Sequence, residues 1–283
     1  MRTAQNILIT GATSGIGRHA AVHLAGLGHK VIATGRNEAA LIALQQEAAR
    51  AGYWLETCVV ELAEADSRES LYQQVKTITN GYGLDVLVNN AGYGQMGPVE
   101  TIPAEKVRAQ FEINVICMLE MTKLFIPEMR ARHRGRIINL SSIGGRVTFP
   151  FGGVYHASKY AVEALSDALR MELNLFGIQV ILVEPGPIAT QFATTGLHSL
   201  EGVESSSDYD HILRHGETLQ RLADRFAASP RSTSKTIEMA IRARWPRARY
   251  VSPWPNNLLI WLMKCLPPYF LDWCIKQALK PRG

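Results

Sequence analysis

Cysteine is scarce in this sequence, with 4 in 283 residues, and no two of them form a CxxC pair. They are Cys58, Cys117, Cys265 and Cys274. Their wide spacing argues against a disulfide framework and against a cysteine-based zinc site. His211 and His215 are four residues apart but lack a third ligand at a suitable spacing, so no metal is expected. We expect reduced, mostly buried thiols and a cytoplasmic protein.

Long apolar runs and low-complexity tracts are also missing. A strand-like run at residues 6–9 begins too early for a secretory leader, so secretion is not expected. The net charge is only +5, with arginines clustered at residues 130–136 and 242–249. These clusters are interpreted as solvated faces, with attraction to an anionic membrane or nucleic acid as the alternative. Because phosphate-tracking aromatic residues and a nucleic-acid motif are absent, no nucleic-acid partner is expected.

Apolar, β-branched segments alternate along the chain with segments of helical periodicity. The predicted strands are residues 7–10, 31–34, 57–60, 86–88, 136–140 and 180–183. The predicted helices begin after Gly15 and cover residues 38–51, 67–79, 104–129 and 155–176. This alternation predicts an α/β fold with a doubly wound parallel sheet, the Rossmann fold. Ligands of such a sheet bind at the carboxyl ends of its strands.

The alternation of strand and helix patterns ends after residue 183. A polar stretch containing Ser205, Ser206 and Ser207 predicts a lid insertion over about residues 190–230, with helical patterns at 212–228 and 232–243; a disordered loop is the alternative. We therefore predict one catalytic domain over residues 1–253 and an amphipathic, apolar helical tail over 254–283.

A glycine-rich turn follows the first predicted strand, over residues 10–17. Its glycines, spaced Gly-x-x-x-Gly-x-Gly, allow a tight turn and close approach of the backbone to a pyrophosphate at the start of a helix. Glycine turns between strand and helix also occur for purely structural reasons. The position directly after the first strand is what indicates dinucleotide binding.

The end of the second predicted strand bears on the choice of dinucleotide. An acidic residue there would bind the ribose 2′-hydroxyl of NAD. Gly35 and Arg36 occupy this place instead, and a planar guanidinium suits a 2′-phosphate, so NADP(H) is predicted, with Arg18 as a possible assistant. The alternatives are that Arg36 is an ordinary surface arginine or that Glu38 restores NAD use.

Tyr155 and Lys159 lie four residues apart at the start of a long predicted helix and so share one face. A neighbouring ammonium is expected to lower the tyrosine pKa and make the phenol usable in proton transfer. Ser142, at the end of the fifth strand, is expected to hydrogen bond a substrate oxygen rather than act as a nucleophile. His156 points away around the helix, and no chemical role is expected for it.

These motifs resemble those of the short-chain dehydrogenase/reductase family. The resemblance covers residues 5 to about 190 and rests on six ordered elements. They are TGATSGIG, Asn89-Asn90-Ala91-Gly92, Asn114, Ser142, the Tyr155 and Lys159 pair, and Pro185-Gly186-Pro187-Ile188-Ala189-Thr190. One departure is Val60-Glu61-Leu62, which replaces the family's usual aspartate near adenine and leaves only the Leu62 backbone for that contact.

The resemblance implies reversible carbonyl–alcohol redox chemistry in which Tyr155 transfers the proton. Lys159 would hold the nicotinamide ribose, Ser142 would orient the substrate, and Asn114 would anchor a water chain. The cofactor-binding residues implied are Gly11, Thr13, Ser14, Gly15, Ile16, Gly17, Arg36, Leu62, Asn89, Ala91, Gly92, Tyr155, Lys159, Pro185, Gly186, Ile188 and Thr190. The family's usual homodimer or homotetramer is also implied.

Within the family, the chain looks most similar to NADP-dependent aldehyde reductases and to 17β-hydroxysteroid and retinol dehydrogenase-like members. A lipophilic aldehyde or ketone is therefore the expected substrate. Candidate substrate residues are Gln95, Met96, Phe149, Phe151 and Phe192. The aromatic and basic tail is expected either to lie peripherally on a membrane or to pack on its own domain or a partner subunit.

Two rival functions stay open at this stage. One is a non-catalytic NADP(H)-binding module that regulates a partner, and the other is a membrane-surface interaction protein. The first usually requires a lost catalytic residue, and none is lost in this sequence. The second depends on the tail alone, because the motifs of the first 190 residues have no place in it.

Overall fold

The computed structural model describes residues 4–192, 195–196, 199–200, 209 and 227–278. Its centre is a parallel sheet of seven strands in the order β3-β2-β1-β4-β5-β6-β7. The strands are β1 (Asn6–Ile9), β2 (Lys30–Gly35), β3 (Leu55–Val59), β4 (Val86–Asn89), β5 (Gly135–Leu140), β6 (Ile178–Pro185) and β7 (Arg249–Ser252). The predicted doubly wound sheet is confirmed.

Helices cover both faces of the sheet. They are α1 (Gly15–Gly26), α2 (Glu38–Arg50), α3 (Ala65–Ile78), α4 (Ala104–Phe111), α5 (Cys117–Ala131), α6 (Gly153–Asn174), α7 (Pro230–Arg242), α8 (Asn256–Cys265) and α9 (Pro268–Ala278). A π-helical segment (Glu112–Ile116) joins α4 to α5, and a short 3₁₀ turn (Ile143–Gly145) follows β5.

The strand sequences explain the two layers. Successive side chains of a strand point to opposite faces, and Ile7, Leu8 and Ile9 of β1 are all fully buried. Ile7 and Ile9 pack in a cluster with apolar residues of α1, α2 and α7. Leu8 packs in a second cluster with residues of α3 and α5. A run that is apolar at every position is therefore buried from both sides.

The strand order reverses between β1 and β4. From β1 the chain builds outward through β2 and β3, then returns to β4 on the other side of β1. Because all strands are parallel, their carboxyl ends share one edge, which we call the carboxyl edge. The connections after β1 and β4 lead to helices on opposite faces of the sheet, and ligands of such sheets bind in a crevice at this switch point.

Several predicted elements differ from the observed ones. The predicted helix 104–129 is interrupted by the π-helical segment, and β7 was not predicted. Most of the predicted lid and of the helix 212–228, together with His211 and His215, lie outside the described residues. Ala228 is described and is not helical, because it forms a parallel bridge with Ile188.

The arginine clusters are only partly solvated faces. Arg136 donates from Nη1 to the Ala240 carbonyl at 2.7 Å and from Nη2 to the Ala243 carbonyl at 2.9 Å. These carbonyls end α7, where a cation also interacts favourably with the helix dipole. Arg136 therefore joins the start of β5 to the last turn of α7.

Candidate active site

The glycine-rich turn after β1 is held against the loop after β4. Asn90 donates from Nδ2 to the carbonyl oxygens of Thr10 at 2.9 Å and Gly11 at 3.0 Å. Gly11 has φ +66°, and a Cβ there would lie 2.8 Å from Ala91 Cα. Only glycine fits both the left-handed backbone and this close approach. The contact fixes the position of the turn at the switch point.

The turn leads directly into α1. Within the described residues no side chain caps the first turn of α1, whereas the Asn37 side chain accepts from Ala40 N at the start of α2. The first amide groups of α1 thus have N–H donors and the positive end of the helix dipole available for an anionic ligand. Together with the crowded glycine backbone, this geometry fits a dinucleotide pyrophosphate.

The end of β2 lies beside this turn. A Cβ on Gly35 would come within 2.5 Å of Thr13 Cγ2, so glycine is needed there for close packing. Arg36 is 77% exposed at its side chain, with Nη1 3.7 Å from Glu61 Oε2. Its guanidinium therefore remains accessible to a 2′-phosphate. The predicted assistant Arg18 is instead engaged by Glu47 of α2.

Tyr155, Lys159 and Ser142 meet at the carboxyl edge. Tyr155 and Lys159 are 8% and 6% exposed, and Lys159 Nζ lies 5.9 Å from the Tyr155 ring centroid. Lys159 Nζ donates to the Leu140 carbonyl at 2.8 Å, which links α6 to the end of β5. The Ser142 side chain lies near the Tyr155 phenol, and its Oγ donates to the Pro185 carbonyl at 3.4 Å. The three residue types thus form one group, as their spacing predicted.

The electrostatics of this group correct one expectation. Burial raises the pKa of Tyr155 to about 12, although the nearby Ser142 side chain opposes the shift. Burial also lowers the pKa of Lys159 to about 8, opposed by the carboxylate of Glu163. The expected lowering of the tyrosine pKa by Lys159 is therefore absent, because loss of hydration disfavours the phenolate more than its neighbours stabilise it.

Asn114 lies in the π-helical segment and is 2% exposed. Its Nδ2 donates to the Tyr93 carbonyl at 2.9 Å and to Ser158 Oγ at 3.1 Å, while its Oδ1 accepts from Tyr93 N at 3.1 Å. Such single-turn π segments inside α-helices often occur at functional sites. Here the segment turns Asn114 toward α6 and the loop after β4.

An apolar wall stands beside the Tyr155 phenol. The rings of Phe192 and Tyr155 have centroids 5.3 Å apart. A Cβ on Gly94 would lie 2.8 Å from Phe192 Cζ and 3.1 Å from Met96 Cε, so both side chains lie over this glycine. The wall is suited to the apolar part of a substrate whose polar group reaches Tyr155 and Ser142.

The sequence and the fold of this chain can now be compared with those of known proteins. The profile of the short chain dehydrogenase family matches residues 5–199 of this chain. The chain belongs to that family. The resemblance inferred from its motifs is thereby confirmed.

Among the relatives of this chain is the 3-ketodihydrosphingosine reductase of Bacteroides thetaiotaomicron, 34% identical over 96% of this chain and 97% of the relative. Human 17-beta-hydroxysteroid dehydrogenase type 1 is 36% identical over 86% of this chain and 76% of its own. A solved actinorhodin polyketide ketoreductase variant with NADPH has a TM-score of 0.74 and 28% identity, covering 89% of this chain and 97% of that one.

Three other predicted cofactor residues have defined contacts. Thr190 lies against Gly15, with 3.3 Å between Thr190 Cβ and a Cβ built on that glycine. Gly186 is held by Ser252, its amide donating to the Ser252 carbonyl at 2.7 Å. The Leu62 carbonyl already accepts from Cys117 Sγ at 3.0 Å. Its remaining backbone group is the amide.

Asn89 is placed differently from Asn90. Its side chain is 5% exposed and donates to Thr122 Oγ1 and Asn139 Oδ1, each at 2.9 Å. The amide therefore points into the sheet, and any cofactor contact of Asn89 must use its backbone. Sequence reasoning passed over Asn90 and Thr10, although Asn90 stood within the motif on which the resemblance rested.

The remaining predicted substrate residues have mainly structural contacts. Gln95 is 3% exposed and donates from Nε2 to the Ser199 carbonyl at 2.8 Å. The Phe151 carbonyl accepts from Gly97 N at 2.8 Å, and the Phe149 amide donates to His156 Nδ1 at 3.3 Å. These contacts fix the loops around the crevice. Burial lowers the pKa of His156 to about 4, so it stays neutral in this structural position.

A charged network that sequence reasoning missed lies behind Lys159. Glu184 is fully buried and Glu163 is 6% exposed. Arg249 donates from Nε to Glu163 Oε2 at 2.9 Å, and its Nε lies 3.3 Å from Glu184 Oε1. Arg146 donates to Glu184 Oε1 at 2.9 Å. The available signal was the glutamate in each otherwise apolar segment.

An open groove of about 1090 Å³ extends the crevice away from the phenol. It is lined by Thr13, Ser14 and Gly15, by residues of α1 and α2, and by Pro230 and Arg231. Neither Tyr155 nor Ser142 lines it. The groove thus adjoins the part of the crevice assigned to the cofactor rather than the part assigned to the substrate.

Proposed function

We propose that this protein is an NADP(H)-dependent oxidoreductase that interconverts a lipophilic aldehyde or ketone and the corresponding alcohol. The observation that carries the proposal is the buried Tyr155 phenol, which lies beside Lys159 and near Ser142 at the carboxyl edge. The relatives support carbonyl chemistry, since several are named as reductases or hydroxysteroid dehydrogenases.

Reduction needs a hydride, with its electron pair, at the carbonyl carbon and a proton at the oxygen. NADPH supplies the hydride when bound and becomes NADP⁺. Ser142 hydrogen bonds the carbonyl oxygen and Tyr155 gives that oxygen its phenolic proton, so the carbonyl becomes an alcohol. A raised tyrosine pKa keeps this proton in place at neutral pH. Oxidation runs the same transfers backwards.

Lys159 and Asn114 restore and position the transferring groups. The Lys159 ammonium lies close enough to Tyr155 to stabilise the phenolate formed after proton donation. Asn114 clamps the Tyr93 backbone and binds Ser158 on α6, the helix that carries both Tyr155 and Lys159. Its buried side chain can also anchor a water through which the proton is replaced.

NADP(H) is proposed over NAD(H) because Arg36 presents an exposed guanidinium beside the glycine turn and no acid follows Gly35 directly. Family neighbours are recorded with NADPH or NADP⁺, including the ketoreductase and a serine dehydrogenase that is 26% identical. The pair with Glu61 is long, at 3.7 Å, so a phosphate can replace the carboxylate as the arginine's partner.

The lipophilic substrate class rests on the apolar wall and on the relatives. Phe192 and Met96 border the phenol, where an alkyl chain or ring would lie. Relatives named for 3-ketodihydrosphingosine, 3-dehydrocapnine and 17-beta-hydroxysteroids support a substrate with a large apolar part.

The mechanism is tested by NADPH oxidation with a panel of long-chain aldehydes, ketosteroids and 3-oxoacyl thioesters, comparing wild type with Tyr155→Phe. We expect reduction of at least one class by the wild type and a loss of about 10²- to 10⁴-fold in kcat for the variant, because its proton donor is gone. Tyr160→Phe, one turn further along α6 and 43% exposed, is the matched control and should keep wild-type rates. Equal rates for wild type and Tyr155→Phe would sink the mechanism.

Cofactor choice is tested by Arg36→Ala. We expect the ratio of kcat/KM for NADPH to that for NADH to fall by about tenfold or more, since a charged hydrogen bond to the 2′-phosphate is lost. Arg50→Ala, an exposed arginine at the far end of α2, should leave the ratio unchanged. An unchanged ratio in Arg36→Ala would exclude this arginine as the discriminating residue without affecting the assignment of Tyr155.

A further inference from the structure

The last two helices carry apolar side chains on the side that faces away from the protein. On α8, Leu258, Trp261, Leu262 and Cys265 follow the spacing of one helix face, and all four are exposed. Trp261 is 61% and Tyr269 89% exposed. Together, the large exposed apolar residues of this segment form what we call the outer face. They are Trp254, Leu258, Trp261, Leu262, Tyr269, Phe270 and Trp273.

The inward side of α8 accounts for its attachment. Ile260 is 5% exposed, and Asn256 lies so close to Gly186 that a Cβ on this glycine would overlap its amide. Asn256, Ile260 and Met263 are spaced along the opposite side of the helix from Trp261 and are the less exposed positions. The solvent-facing side of an ordinary surface helix is polar, whereas that of α8 is apolar. Within the part of the chain that the structure describes, the outer face is therefore an exposed apolar surface.

This surface lies at the same edge as the candidate active site. Helix α8 follows the carboxyl end of β7, and its first residue contacts Gly186 of the predicted cofactor loop. Burial lowers the pKa of Lys264 on α8, with Arg146 adding to the shift and Glu184 opposing it. A partner bound to the outer face would thus lie beside the entrance to the crevice.

The charge of the segment points to the kind of partner. Residues 254–283 contain Lys264, Lys276, Lys280 and Arg282 but only one acid, Asp272, which gives a net charge of +3. Tryptophan, tyrosine and lysine together suit the boundary between lipid headgroups and acyl chains. No single described helix is long and apolar enough to cross a bilayer. Helices α8 and α9 reach that length only together and are bent by 118° at their junction.

We propose that α8 and α9 dock this protein on the surface of an anionic phospholipid membrane, with the outer face in the headgroup region and the crevice opening toward the lipid. A second copy of the chain is the competing occupant. In a two-fold contact, each outer face would meet an identical one and bring the basic residues of both copies together. An anionic surface neutralises the same charges. The delivery of a lipophilic substrate rests on the proposed function, whereas membrane binding does not.

The experiment is sedimentation of the full-length protein with vesicles of phosphatidylcholine alone or with added phosphatidylglycerol. We expect binding to the mixed vesicles and weaker binding to phosphatidylcholine alone. The double variant Trp261→Ser with Trp273→Ser should bind the mixed vesicles about tenfold or more weakly, since two interfacial aromatic side chains are lost. Trp245→Ser removes a tryptophan that is 81% exposed at the opposite edge of the sheet, and it should bind like the wild type.

Further readouts keep the outcomes distinct. The double variant should retain the wild-type melting temperature and its rate with a short, water-soluble aldehyde, because it leaves the crevice intact. The variant Lys264→Gln with Lys276→Gln should lose the preference for phosphatidylglycerol. Wild-type protein that stays in the supernatant with both vesicles, or a double variant that binds like wild type, would overturn the proposal. So would a stable dimer that becomes monomeric in the double variant. Vesicle binding without NADPH oxidation would refute only the proposed function.

Discussion

The side chains of Tyr155 and Lys159 are each favoured in the neutral form by burial. Sequence spacing predicted that they would share a helix face, and the structure brings them together with Ser142. Spacing could not predict the extent of desolvation, which depends on residues distant in sequence, such as Phe192 and Leu140. The predicted direction of the Tyr155 pKa shift was therefore wrong. The prediction that Tyr155, Lys159 and Ser142 form one group was right.

The buried Lys159 ammonium should lower the free energy of unfolding. With its pKa lowered from 10.5 to about 8, the charged form disfavours folding by roughly 3 kcal/mol at neutral pH. We expect Lys159→Met to abolish turnover while raising the free energy of unfolding at pH about 7 by up to this amount. Urea denaturation of both proteins measures the difference.

The difference in free energy of unfolding between the wild type and Lys159→Met should also change with pH. Between pH about 8 and about 10, the unfolded lysine keeps its proton whereas the folded one has released it, so rising pH stabilises the wild type and narrows its gap to Lys159→Met. Tyr155 is present in both proteins and cancels in the comparison. The exposed Lys123→Met should show neither effect. A less stable Lys159→Met at pH about 7 would contradict the prediction.

Helices and strands were predicted correctly where a local apolar pattern along the chain determines them. Six of the seven strands and most helices follow from apolar periodicity and were predicted within a few residues. The short strand β7 was missed because Arg249 and Tyr250 do not form an apolar run. The π-helical segment was missed because residues 104–129 have continuous helical periodicity, and the extra residue in its turn follows from the contacts of Asn114.

The network around Arg249 joins three of these elements, β6, β7 and α6. We expect Arg249→Leu to lower the free energy of unfolding by about 3–5 kcal/mol, because the buried Glu163 loses its arginine partner and Glu184 keeps Arg146 as its partner among the described residues. Burial already raises the pKa of Glu163, and without Arg249, which opposes that shift, this pKa should rise further in the folded state. The loss of stability should therefore be smallest near pH about 5 and grow toward pH about 8.

Chemical denaturation across this pH range measures the effect. Arg108→Leu, an exposed arginine on α4, is the control and should change stability by no more than about 0.5 kcal/mol. A loss that is independent of pH would show that Arg249 contributes packing rather than charge.

The whole molecule was predicted in outline, since the order of motifs along the chain is enough to place them at one edge of a parallel sheet. The sequence gives less information about how subunits assemble than about the fold. Helix α6 nevertheless exposes Met171 at 63%, and Leu175, the residue that follows the helix, is 82% exposed. We propose that copies pair through α5 and α6 into the dimer or tetramer expected from the resemblance.

Light scattering coupled to gel filtration tests this assembly. The double variant Met171→Glu with Leu175→Glu should be monomeric, because its charges would be buried in the contact. Met239→Glu introduces the same charge on α7, at a position 54% exposed, and should leave the mass unchanged. A monomeric wild type, or a double variant of unchanged mass, would rule out this interface.

The parallel sheet also decides where this protein can be joined to another. Strand β1 begins at the amino edge, whereas β7 delivers the chain to the carboxyl edge, where α8, the crevice and the outer face lie. A reporter or affinity handle fused ahead of β1 would hang on the side remote from catalysis. The same handle fused after α9 would crowd the entrance and stand between the enzyme and a membrane. Immobilisation from the amino-terminal side is therefore the orientation that keeps both surfaces working.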